Sequence, residues 1–140
     1  MTRTNELIEE IIQGACASVP SDHWDKVVVT VLAITRMIQL TGRYEVDGAS
    51  STFDPEQSGV DITMKARELR TCCYESAPDG AWYTAIFVVD STGKFDVKFE
   101  YDEKPNFKYM PSKDKFLADL DLFPRADKTV PEWFQELDAG

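Results

Sequence analysis

Few side chains in this 140-residue chain are equipped for chemistry: a single histidine, His23, the cysteines Cys16, Cys72 and Cys73, and the acids Asp90, Asp96, Glu100, Asp102 and Glu103 in and around "DSTGKFDVKFEYDE". A cysteine nucleophile would need His23 as its base, but nothing in the spacing sets "PSDHWDK" beside any of the three thiols. The plain reading of His23 is a surface or strand-edge imidazole. Adjacent cysteines on a helix point in different directions, and no second Cys or His pair completes a tetrahedral set, so Cys73 reads as core packing and Cys72 as the margin of its stripe. The acids are the types that ligate hard cations or exchange protons. Asp96, Glu100 and Asp102, however, fall on one face of a strand, where alternate residues step about 6.6 Å, too open for a cation cage. What is left is a solvated sheet face or a face that meets another protein. Neither a Walker pattern nor a dinucleotide fingerprint surrounds any of the 7 glycines.

Charge narrows the choice of partner. With 25 acidic against 15 basic side chains the formal charge is -10, which repels nucleic-acid phosphates and anionic lipid and steers basic proteins inward. A hydrophobic fraction of 43% with 11% aromatics suits one folded domain over residues 1–140. No apolar run approaches the roughly 20 residues of a membrane span, and "MTRTNELIEE" lacks the order of a signal peptide. Together with the odd cysteine count, this leads to the expectation of a cytoplasmic protein with no cofactor.

The elements that would position these groups follow from periodicity. "NELIEEIIQGACASV" sets Leu7, Ile8, Ile11, Ile12, Ala15 and Val19 on one side of a helix. "WDKVVVTVLAITRMIQLTGRYEV" is rich in β-branched residues and predicts two antiparallel strands with a turn near residues 33–36. "DGASSTFDPEQSGVD" reads as a loop. Ile62, Ala66, Leu69 and Cys73 give the stripe of a second helix that ends at "APDG". Strands over 82–89 and 94–101 follow, joined by "DSTG" with Gly93 free to take a positive φ. In the latter strand Phe95, Val97, Phe99 and Tyr101 alternate with Asp96, Lys98, Glu100 and Asp102, predicting one buried and one wet face. Two helical pieces close the chain, the first capped by Ser112, the second with Thr129 and Glu132 at capping-box spacing. The expected fold is a single α+β domain: an antiparallel sheet of about four strands, helices mainly on one face, in the order α-β-β-α-β-β-α-α.

At residues 80–103, "GAWYTAIFVVDSTGKFDVKFEYDE" resembles the most recognisable segment of the YezG-like family of immunity proteins, through Trp82, Thr92, Gly93, Lys94, Phe95, Phe99, Tyr101 and Asp102. "VPSDHWDKVVV" is similar to the family's approach to its first strand, through Pro20, Trp24 and Val27. "LFPRADKTVPEWF" is similar to its ending, through Phe123, Pro124, Arg125, Pro131, Glu132 and Trp133. The stretch from Gly48 to Gly59 and the cysteine pair depart from the pattern. The resemblance implies a non-enzymatic antitoxin that sequesters one secreted or contact-delivered toxin, often a nuclease, inside the cell that makes both.

That implication agrees with the charge, since a nuclease needs cationic surface to hold phosphates and an acidic inhibitor can mask it. The expected toxin-binding residues are the outward Asp96, Lys98, Glu100 and Asp102, the loop acids Asp90 and Glu103, and Tyr83 and Phe107 as aromatic anchors. Trp82, Phe95, Phe99 and Tyr101 sit at inward spacing and are expected in the core, with Trp133 and Phe134 pinning the last helix. Gly93 is assigned to turn geometry and Arg125 to capping or an ion pair. The expected partner is the C-terminal domain of a cognate toxin, with no nucleic acid and no membrane; the sequence leaves the oligomeric state open, with a monomer favoured. Two other readings stay open: a small enzyme using carboxylates or a cysteine with His23, and an acidic adaptor or structural subunit.

Overall fold

The computed structural model describes residues 2–78, 80–126 and 130–138. Their order is α1 (Arg3–Ala17), β1 (Lys26–Ile34), β2 (Met37–Val46), β3 (Ala49–Phe53), α2 (Ile62–Ser76), β4 (Thr84–Asp90), β5 (Phe95–Glu100), α3 (Lys113–Leu122) and a short 3-10 turn at Glu132–Glu136. The strands make one antiparallel sheet in the order β3-β2-β1-β4-β5. The α+β expectation is met, with five strands where four were read.

The additional strand is β3, inside the segment whose composition predicts a loop. Asp47 and Gly48 both have positive φ, 50° and 83°, as a two-residue hairpin turn requires, and Val46 then pairs with Ala49. Small polar side chains hid the strand, because its pairing comes from the turn and not from burial.

β1 shows how the sheet divides the interior. Val27, Val29, Val31 and Ala33 lie under α1 and α2, packed with Leu7, Ile11, Leu69 and Phe87. Leu32 and Ile34, of opposite parity, join a second cluster with Tyr83, Phe107, Phe116, Phe134 and Leu137 on the other side. The C-terminal segment therefore covers one end of the face opposite α1 and α2, while the remainder of that face carries only half-buried or exposed side chains. α3 begins at Ser112, whose hydroxyl makes no capping bond although its carbonyl accepts from Lys115 and Phe116. The final piece is a 3-10 turn after Pro131; Thr129, the expected cap, lies outside the described residues.

α1 starts at Thr2, whose side chain accepts from the Asn5 amide at 3.2 Å. It crosses the approach to α2 at Gly14, where a Cβ would stand 2.8 Å from Val60 Cβ. Gly14→Leu should therefore force the two segments apart and lower stability by about 3 kcal/mol, read as a reduced urea midpoint at unchanged slope.

Candidate interaction surface

The β4–β5 turn is organised by Asp90. Its carboxylate accepts the Thr92 hydroxyl at 2.6 Å and the backbone amides of Thr92 and Lys94 at 2.9 and 3.1 Å, while Gly93 takes φ 90°. These bonds, the Thr92 hydroxyl foremost, hold the Asp90 carboxyl below the usual range, so the loop keeps a fixed negative charge. Asp96 and Lys98 are exposed on the outward row of β5, and Glu100, half-buried, pairs with Lys98 at 3.4 Å. Glu103 is exposed just beyond the strand.

Asp102 pairs with the Arg125 guanidinium, which also donates to the Tyr101 carbonyl at 3.1 Å, and the Trp133 indole N–H donates to the Asp102 carbonyl at 2.7 Å. The aromatic-acidic step that ends β5 thus meets the Pro-Arg and Pro-Glu-Trp steps of the C-terminal segment in space. Their shared job is to clamp the end of the edge strand. Arg125 is an ion-pair residue, one of the two roles expected for it.

Two expected anchors are corrected. Tyr83 is 1% exposed and Phe107 7%, because both rings belong to the second core, where Tyr83 packs edge-on against Phe116 and Trp133. Neither can be a first contact for a partner without unpacking that core. Burial pushes the Tyr83 phenol from 10.0 to about 12. A raised value in the folded state means that its share of stability is whole below pH about 10 and is lost as pH climbs to about 12, so tyrosinate absorbance and unfolding should rise together there.

The expected core row of β5 is corrected as well. Trp82 is fully buried and Phe99 rests on it at 5.6 Å between centroids, but Phe95 is 47% and Tyr101 40% exposed. Period two sets the face correctly. Burial fails because β5 is the sheet's edge and overhangs the helices.

The open part of the opposite face was not foreseen. Val28, Thr30, Ile86 and Val88 are half-buried at its centre, and the cross-strand partners of Val88 and Ile86 are Asp96 and Lys98. Lys26 with Glu45 at 3.8 Å, and Arg43 with the Ser50 hydroxyl at 3.0 Å, border it on the β2 side. An apolar centre inside a charged rim is the anatomy of a protein-binding patch. The sequence signal was present in the parity of β1, whose even positions are as apolar as its odd ones near the hairpin and half-polar away from it.

At the β1–β2 turn lies a buried ion pair that the sequence does not reveal. Arg70 and Asp119 are bonded at 2.5 and 2.8 Å, Arg70 Nε donates to the Trp82 carbonyl at 2.7 Å, and Asp119 also accepts the Thr35 amide and hydroxyl. One pair therefore ties α2, α3 and the β1–β2 turn together. Beside it, Ile34, Ile38, Arg67, Leu122 and Phe123 line a cleft of about 270 Å³.

The nucleophile candidates are scattered over the fold: Cys16 on α1, Cys72 and Cys73 on α2, and exposed His23 before β1. Burial pushes all three thiols up, with Glu68 and Glu75 adding to the effect at Cys72. Each should react with iodoacetamide more slowly than free cysteine at pH 8, the check being mass-resolved alkylation rates. Among the described residues no group of three or more His, Cys, Asp or Glu is placed to hold a metal ion, and no helix is long and apolar enough to cross a membrane.

The fold is a small α+β domain with an open sheet face and an exposed edge strand. The family model described as "Immunity protein YezG-like" matches residues 33–128, and the chain belongs to that family. The match includes the β4–β5 hairpin and Arg125, whereas Pro20, Trp24 and Trp133 lie outside it. Among curated proteins none matches the chain.

Proposed function

We propose that the chain works in the cytoplasm as a non-enzymatic immunity protein that neutralises one cognate toxin domain through a stoichiometric complex, and that this toxin is a nuclease. Family membership over residues 33–128 is the observation that carries the immunity role. The charge of -10 supports the choice of a nuclease, because a surface made to hold phosphates attracts an acidic inhibitor. The acids Asp90, Asp96, Glu100 and Glu103 would steer association, and the half-buried strip of Val28, Ile86 and Val88 would supply apolar contact.

Co-expression tests the reading. The reading expects a large secreted protein to be encoded beside this gene, whose C-terminal domain should stop growth and degrade nucleic acid when expressed alone, and do neither when this chain accompanies it. Persistent poisoning at equal expression would remove that pairing, and growth arrest with intact nucleic acid would remove the nuclease.

A further inference from the structure

The sheet has two edges of unlike character. β3 is five residues long, carries small polar side chains and is followed at once by Asp54 and Pro55, which discourage further pairing. β5 has no proline and one lysine, and its inner row, Phe95, Val97, Phe99 and then Tyr101, is half-buried or exposed along its length. The Asp90 amide donates to the carbonyl of Lys94, its direct partner across the turn. In an antiparallel ladder bonded pairs alternate, so Lys94, Asp96 and Lys98 face β4 while the amides and carbonyls of Phe95, Val97 and Phe99 point outward. Among the described residues no other backbone group bonds to them.

We infer that β5 is a pairing edge, and that the cognate toxin adds to it a strand in which apolar residues alternate with basic ones. Apolar side chains of that strand would lie beside Phe95, Val97 and Phe99, and basic ones beside Asp96 and Glu100. The acids select the partner by charge: of the three outward side chains on β5, two are acidic, and Asp90 and Glu103 add to them at either end. The inference rests on the immunity reading for the identity of the partner but not for the mode of pairing.

Hydrogen exchange resolved by residue tests it in two arms. The first uses the neighbouring toxin domain, the second a synthetic ten-residue peptide alternating valine and arginine, with a shuffled peptide of the same composition as control. Pairing predicts that the amides of Phe95, Val97 and Phe99 gain about tenfold or greater protection with the toxin domain and with the alternating peptide, and none with the shuffled one. Val97→Pro deletes an outward amide and no ladder bond, so it should fold with an unchanged circular dichroism spectrum and weaken toxin binding at least about tenfold, while Val97→Thr stays within about threefold. A toxin complex in which these amides exchange as in the free protein, or to which Val97→Pro binds normally, would overturn the pairing and leave the immunity reading standing. Without a toxin complex, failure of the alternating peptide to protect the amides would overturn it too. Protection that appears with rising protein concentration alone would assign the edge to a second copy of this chain and equally overturn the inference.

Discussion

Asp119→Ala is expected to lower the unfolding free energy by about 3–5 kcal/mol, a large part of the stability of a domain this size. The physical reason is asymmetry. Arg70 is 3% exposed, and without Asp119 its charge stays desolvated with only the Trp82 carbonyl and the faces of Tyr83 and Phe123 for company. The Thr35 amide and hydroxyl lose their acceptor in the same step. Removing both charges, as Arg70→Met with Asp119→Leu, should recover most but not all of the loss, since the Thr35 and Trp82 groups remain unpaired. Thermal and urea unfolding of the two single variants and the double variant give the coupling. A single variant as stable as the parent would mean that water reaches the pair.

The second large effect concerns association. Asp96→Lys with Glu100→Lys should leave the fold intact, because Asp96 is exposed and the Lys98–Glu100 pair is a surface contact worth about 0–1 kcal/mol. The same change reverses the charge of the row that would approach a cationic toxin. Its association rate should fall by about tenfold or more at low salt, and the difference should shrink at about 0.5 M salt, where the screening length is a few ångströms. Stopped-flow binding at two ionic strengths separates steering from contact. Equal rates for parent and variant at both would reduce the acidic face to a solvated one.

The second prediction grew from what the sequence made legible, the first from what it hid. The order of helices and strands could be read because each depends on local periodicity: Leu7, Ile11 and Ala15 on α1, Val27, Val29 and Val31 on β1, and the alternation along β5. The row assignment on β5 was right for the same reason. Its depth was not, since the exposure of Phe95 depends on where β5 lies in the sheet, and strand order is a long-range property. Asp47-Gly48 was a hairpin signal in plain view, overruled by the polar composition after it. Tyr83 shares the parity of Ala85, Phe87 and Val89, which face the helices, yet its ring joins Phe116 and Phe134 in the second core, where the C-terminal aromatics fold over that end of the opposite face. The Arg70–Asp119 pair links positions 49 residues apart and could be suspected only from an arginine one step from Leu69 in an apolar stripe. The clamp of Arg125 and Trp133 on β5 is the instructive case: the segments that carried the family resemblance separately are neighbours in the fold.

If, as proposed, this chain silences a toxin by occupying it, the two proteins combine in a fixed ratio. Titrating the purified toxin domain with the purified chain, while following heat and nucleic-acid cleavage in the same samples, tests it most directly. Saturation is expected at one chain per toxin domain, with cleavage abolished at that ratio. Heat-silent titration with undiminished cleavage would contradict it.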